Sequence, residues 1–143
     1  MMFLGENRVQ LDAKNRLRLP ANYRREIGGL CYVTVGLNNC LQLFKADEFE
    51  DYVQKLQEIP AHDIESRRGV RTFMALAKEI EPDDQGRFIL PKNLKDYAKI
   101  DKNVVFAGVG KSIEIWAEEE WDKYFDMTNL DSALAIIGEK YKV

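Results

Sequence analysis

The sequence predicts an α+β fold made of two tandem copies of one β-hairpin/helix unit, with further helices at the periphery. Three observations predict it. The stretch Leu11-Asp12-Ala13-Lys14-Asn15-Arg16-Leu17-Arg18-Leu19-Pro20 returns as Pro82-Asp83-Asp84-Gln85-Gly86-Arg87-Phe88-Ile89-Leu90-Pro91. Asp, Arg and Pro recur at one offset of 71 residues. Apolar and polar residues alternate around each copy, and aromatic residues at helical spacing follow each one.

Taken in chain order, Val9 and Leu11 alternate with Arg8 and Gln10, and Leu17 and Leu19 alternate with Arg16 and Arg18. Period two means one buried face and one wet face. Asn15 and Gly86 hold the same place between such runs, and both residue types tolerate positive φ. A tight β-hairpin is therefore expected at both sites. Pro20 and Pro91 suit the first turn of a helix, so short helices are expected near Ala21–Ile27 and Lys92–Tyr97. Strand pairs follow: Leu30–Val35 with Cys40–Phe44, and Val104–Ala107 with Ile113–Trp116. Asn38-Asn39 and Gly110-Lys111 mark their turns.

A second helix closes each copy. Phe44, Phe49 and Tyr52 correspond to Trp116, Trp121 and Tyr124 at an offset of 72. Phe49, Tyr52, Val53 and Leu56 fall at helical spacing and should face the core. The connection is expected to be helical from about Ile64. Arg67, Arg68 and Arg71 read there as a solvated face, with a nucleic-acid contact as the alternative. From Thr128, Leu130, Leu134 and Ile137 lie near one stripe, which suits a docking helix or a partly frayed terminus. The expected divisions are 6–48 for the first repeat, 49–76 for a helical connection, 77–120 for the second repeat and 121–143 for a helical tail.

Composition narrows the function. A chain of 143 residues, 45% hydrophobic and 31% charged, suits one compact globular unit or two halves sharing a core. No apolar run approaches the roughly 20 residues of a membrane span, and no signal-peptide pattern opens the chain, so a cytoplasmic location is expected. Cys31 and Cys40 make no metal pattern and read as buried, reduced thiols. No cofactor or metal is expected. The net charge of −3 argues against indiscriminate coating of nucleic acid, but charge is unevenly placed: residues 1–25 carry +4.

Two copies of D-x-x-x-R, each running into an apolar pair and a proline, then strand–turn–strand and an aromatic helix, resemble the MraZ family. That family belongs to the AbrB-like group of swapped-hairpin DNA-binding folds. The resemblance runs from Met2-Phe3-Leu4-Gly5 to about Phe125. It implies two AbrB-like repeats interlocked in one pseudo-twofold, double-split β-barrel. It implies a bacterial transcriptional regulator on the nucleoid, usually a repressor acting on short direct repeats ahead of the cell-division and cell-wall gene cluster. It also implies a ring-shaped homo-oligomer, with an octamer as the expected ring. Asp12 with Arg16, and Asp83 with Arg87, match the family's motif; Pro82, Asp84 and Gln85 depart from the first copy.

The two copies differ most in charge. Residues 8–18 sum to +3 and the aligned residues 79–89 to −3. Phosphates attract the first surface and repel the second. DNA contact is therefore assigned to Arg8, Lys14, Arg16 and Arg18. Arg16 or Arg18 would reach a base edge in the major groove while Arg8 and Lys14 hold phosphates. Asp12, Asn15, Asp83, Gly86 and Arg87 are assigned to the turns, and outward Ile89 to a subunit interface. Two rivals stand beside this reading. Asp12 and Asp83 could meet as paired catalytic carboxylates, although no nucleophile motif, phosphate loop or ligand pattern accompanies them. A protein-binding, antitoxin-like module is the stronger rival, its C-terminal stripe gripping a partner. No membrane or small-molecule partner is expected.

Overall fold

A computed structural model of the chain describes residues 2–143. The elements follow as β1 (Glu6–Gln10), β2 (Arg16–Arg18), α1 (Ala21–Ile27), β3 (Cys31–Val35), β4 (Leu41–Lys45), α2 (Ala46–Gln57) and α3 (Ile64–Leu76). The second copy gives β5 (Lys78–Ile80), β6 (Arg87–Ile89), α4 (Lys92–Tyr97), β7 (Asn103–Gly108), β8 (Ile113–Ala117), α5 (Glu118–Tyr124) and α6 (Leu130–Tyr141). Pro20 and Pro91 stand just before α1 and α4 with φ of −57° and −58°, values a proline ring already imposes. Gly28 ends α1 with φ of 76°.

The strands form a six-stranded antiparallel sheet, ordered β1-β7-β8-β4-β3-β5, and a separate two-stranded ribbon of β2 and β6. At the sheet centre Gln42 faces Glu114, with Leu41 opposite Ile115 and Leu43 opposite Ile113. In the ribbon Leu17 faces Phe88. Gln42 and Glu114 are equivalents at offset 72, Leu17 and Phe88 at offset 71. These two ladders are thus each centred on a pair of equivalent residues, as a twofold relation between the copies requires.

The expected hairpins do not form as ladders. The turns close, but their flanking strands separate: β1 pairs with β7, β2 with β6, and β5 with β3. In every case the partner belongs to the other copy. Alternation reports which face of a strand is buried, not which strand lies beside it, so both arrangements satisfy one pattern.

Leu17, Leu19, Val33, Leu41, Leu43, Phe88 and their neighbours share one core. The α2 stripe packs in part. Phe49 is buried and stacks on Tyr32 at 4.6 Å, whereas Tyr52 is 40% exposed and covers Phe44 and Phe73 from outside. Trp116, Trp121 and Tyr124 repeat this cluster in the second copy. Cys31 belongs to this core and Cys40 to a smaller cluster with Val105 and Trp116, and burial pushes each thiol up to about 12. The C-terminal stripe does form a helix, α6, but it does not dock: every residue of it is exposed except Gly138. No helix among the described residues is long and apolar enough to cross a membrane.

Candidate nucleic-acid interface

The ribbon follows from six residues. Leu17 and Phe88 turn inward to the core. The strand pleat then turns their neighbours outward: Arg16 beside Ile89, and Arg18 beside Arg87. Three guanidinium groups and one exposed isoleucine therefore share the outer side.

Both adjoining turns are built alike. The Asp12 Oδ1 accepts from the Lys14 and Arg16 amides at 2.9 and 2.8 Å, and its Oδ2 accepts from Arg16 Nε at 2.8 Å. Asp83 makes the same set with Gln85, Arg87 and Arg87 Nε at 2.9, 2.8 and 2.9 Å. Asn15 and Gly86 adopt φ of 59° and 81°. The D-x-x-x-R spacing is what lets one carboxylate hold the turn amides and aim the arginine. Each aspartate spends its hydrogen bonds within its own turn, and neither bonds to the other among the described residues.

These bonds hold both carboxyls below the usual aspartate range, chiefly through the backbone amides of Arg16 and Arg87. A carboxyl whose folded pKa is lowered stabilises the fold above its unfolded pKa, and that contribution is lost as pH falls through the folded value. A carboxyl-detected NMR titration should therefore give Asp12 and Asp83 midpoints below 3.8. Midpoints at or above that value would contradict this account of the turns.

The copies also clasp each other. Leu19 N–H donates to the Gly86 carbonyl at 2.7 Å, and Leu90 N–H donates to the Asn15 carbonyl at 2.9 Å. Arg24, from α1, lies over Gly86 so closely that a Cβ there would meet its side chain at 2.8 Å. Lys95, from α4, donates to Asn15 Oδ1 at 3.1 Å. Arg24 and Lys95 are themselves equivalents at the offset of 71. Neither was singled out by reading each copy separately. The shared offset is the signal that could have found them.

The sequence-assigned residues separate into two places. Lys14, Arg16 and Arg18 come together at the ribbon. Arg18 is exposed, and its Nε donates to the Gln85 carbonyl at 3.0 Å; Arg16 is tied to Asp12 and lines a groove with Glu79 and Glu81. Arg8 lies instead on β1 in the large sheet, with Glu6, Glu118 and Asp122 at 2.8, 3.3 and 3.4 Å. Three carboxylates therefore surround Arg8, which stands on a different sheet from the other three assigned cations. The picture of a cationic ribbon and a separate anionic twin is corrected. Strands from both copies form one ribbon, and Arg87 stands directly beside Arg18. The acidic residues Glu79, Glu81 and Asp83 border it on one side. Arg67, Arg68 and Arg71 lie on α3, where Arg68 pairs with Glu65 at 3.6 Å.

The family model described as "MraZ protein, putative antitoxin-like" matches this chain twice, over residues 2–72 and 73–135. Similar curated proteins carry the name transcriptional regulator MraZ. The protein of Desulforamulus reducens is 45% identical over 86% of this chain and 87% of its own length. That of Carboxydothermus hydrogenoformans is 44% identical over 86% of each. That of Syntrophomonas wolfei is 44% identical over 96% of this chain and 95% of its own. Doubled turns that each aim an arginine, strands exchanged between two copies, and a family match that splits at the same repeat all agree: the chain belongs to the MraZ family.

Proposed function

We propose that this protein is a sequence-specific DNA-binding transcriptional regulator, without catalytic activity, that reads the major groove through the β2/β6 ribbon. One observation carries the reading: three outward arginines on a two-stranded ribbon, with Lys14 at the adjoining turn. A ribbon of this width fits the major groove, and an arginine can pair bidentately with guanine O6 and N7. Arg18 is the foremost candidate for a base edge, because its partner is a carbonyl and not a carboxylate. Arg16 and Arg87 follow, each aimed by its aspartate, and Lys14 holds a phosphate. Arg8 is left out of the set.

The names of the relatives and the family resemblance support the rest of the reading. The protein would act in the cytoplasm on the nucleoid, as a repressor at direct repeats ahead of the cell-division and cell-wall gene cluster. Its strands would make one double-split barrel from two AbrB-like repeats, 6–48 and 77–120, with 49–76 and 121–143 as helical connection and tail. A ring-shaped homo-oligomer, an octamer on the family's pattern, would present many ribbons to repeated sites. Linked weak contacts raise avidity when the spacing matches. The unpartnered apolar side of α6, with Leu130, Leu134 and Ile137 exposed, supports a contact between protein surfaces. The same helix favours the second reading, an antitoxin-like module that holds a different protein.

The test is a binding titration on duplex DNA taken from upstream of the protein's own coding region. Affinity should fall steeply as salt rises from 50 to 200 mM, on the order of 10³-fold for six phosphate contacts. Arg18→Ala should cost about 1–3 kcal/mol and relax base preference, whereas Lys14→Ala should weaken all sequences alike. Arg87→Ala should cost less than Arg18→Ala, since Glu79, Glu81 and Asp83 border that arginine. Salt-insensitive capture of one stoichiometric protein partner, with no DNA bound, would favour the second reading.

A further inference from the structure

The first turn does not stand alone. A groove of about 310 Å³ opens between it and α4, lined by Lys14, Asn15, Ile89, Lys92, Lys95 and Asp96, among others. Three ammonium groups therefore border one small space against a single carboxylate. Asp96 is already paired with Lys92 at 2.8 Å, and both are exposed. Lys14 and Lys95 form no ion pair among the described residues. Lys95 contacts the turn only through the neutral Asn15 Oδ1.

Like charges gathered this way repel one another, and the repulsion is relieved when an anion enters. The groove also lies at the edge of the ribbon. Ile89 lines it and is the residue paired with Arg16 across the two strands. An anion in the groove would therefore sit beside the arginine face and not on a remote surface. The flexible ammonium is a compact point charge suited to a phosphate, while the arginines offer the planar forks suited to base edges.

From this we infer that α4 of the second copy completes the nucleic-acid interface: Lys92 and Lys95, with Lys14, hold a backbone phosphodiester beside the ribbon. The inference rests on the DNA-binding reading above. It departs from the assignment of DNA contact to the first copy alone, because two of the three phosphate-holding lysines come from the second.

The full-length protein serves for the test, with two duplex probes: DNA from upstream of its own coding region, and a scrambled duplex of equal length. Lys95→Gln keeps an amide donor for Asn15 and removes the charge. In the double variant Lys92→Gln/Lys95→Gln, affinity should fall by the same factor on both probes. The slope of log K against log salt should flatten by about 1 for each lysine removed. Lys92→Arg/Lys95→Arg should restore both quantities. Lys92→Gln alone touches nothing in the turn and should flatten the slope by about 1, which keeps the test standing should the double variant lose its fold. An unchanged slope in Lys92→Gln and in a folded double variant, with Arg18→Ala still weakening binding, would overturn this inference and leave the DNA reading intact. A wild-type protein that binds neither probe would overturn both.

Discussion

Expressed alone, the half-chain 1–77 is expected to be unfolded as a monomer. It would keep β3 and β4, which pair with each other, and α3, which packs on β3. It would lose β7 from β1, β6 from β2, β8 from β4 and β5 from β3. Leu17 and Leu19, both fully buried in the intact chain, would face water. An isolated two-stranded hairpin is marginal at best, and the separated strands would leave their backbone groups without partners. Because the copies are equivalent at offsets of 71 and 72, two half-chains could exchange strands with each other as the two copies do. Any structure gained should therefore rise with concentration, and mixing 1–77 with 78–143 should restore the native spectrum. Circular dichroism with sedimentation decides the matter. A monomeric half-chain with a cooperative melting transition would contradict the exchanged pairing.

Phe88→Ala should be the most damaging single change at the ribbon. Phe88 is 5% exposed and faces Leu17 at the centre of the β2/β6 ladder, the only ladder these two short strands have. Removing a buried phenyl ring costs about 3–5 kcal/mol, through lost burial and the cavity left behind. Against a typical domain stability of about 5–15 kcal/mol, that is a large share. The functional loss should exceed the loss of stability. Arg16, Arg18 and Arg87 are aimed by the pleat of these strands, so a loosened ribbon should bind its DNA weakly even while the chain remains folded. Thermal unfolding and DNA titration of the same preparation separate the two effects. A variant that melts several degrees lower yet binds with wild-type affinity would show that the ribbon does not position the arginines.

Several features could be read directly along the chain. The boundaries of α1 and α4 follow from a proline placed just before each. The strand pairs after them follow from apolar alternation and from residues that tolerate positive φ: Asn38 at 58° and Gly110 at 95°. The doubled D-x-x-x-R motif pointed to two equivalent turns, whose chemistry is local enough to fit within five residues. The match to a known family was already visible in those motifs.

The pairing of strands could not be read from the alternation pattern itself. Alternation in β1 and β2 fits a local hairpin as well as an exchange with β7 and β6, since both bury the same side chains. Only contacts 70 to 100 residues away decide between them, as when Arg8 meets Val105 and Leu17 meets Phe88. The same distance defeated charge counting. Arg8 gains Glu118 and Asp122 as neighbours from far along the chain, and Lys95 reaches Asn15 because α4 folds against the first turn. Turn geometry and strand faces are properties of a few neighbouring residues, so the chain declares them. Which cations remain free to meet a phosphate depends on where distant carboxylates come to rest, and that waits on the folded molecule.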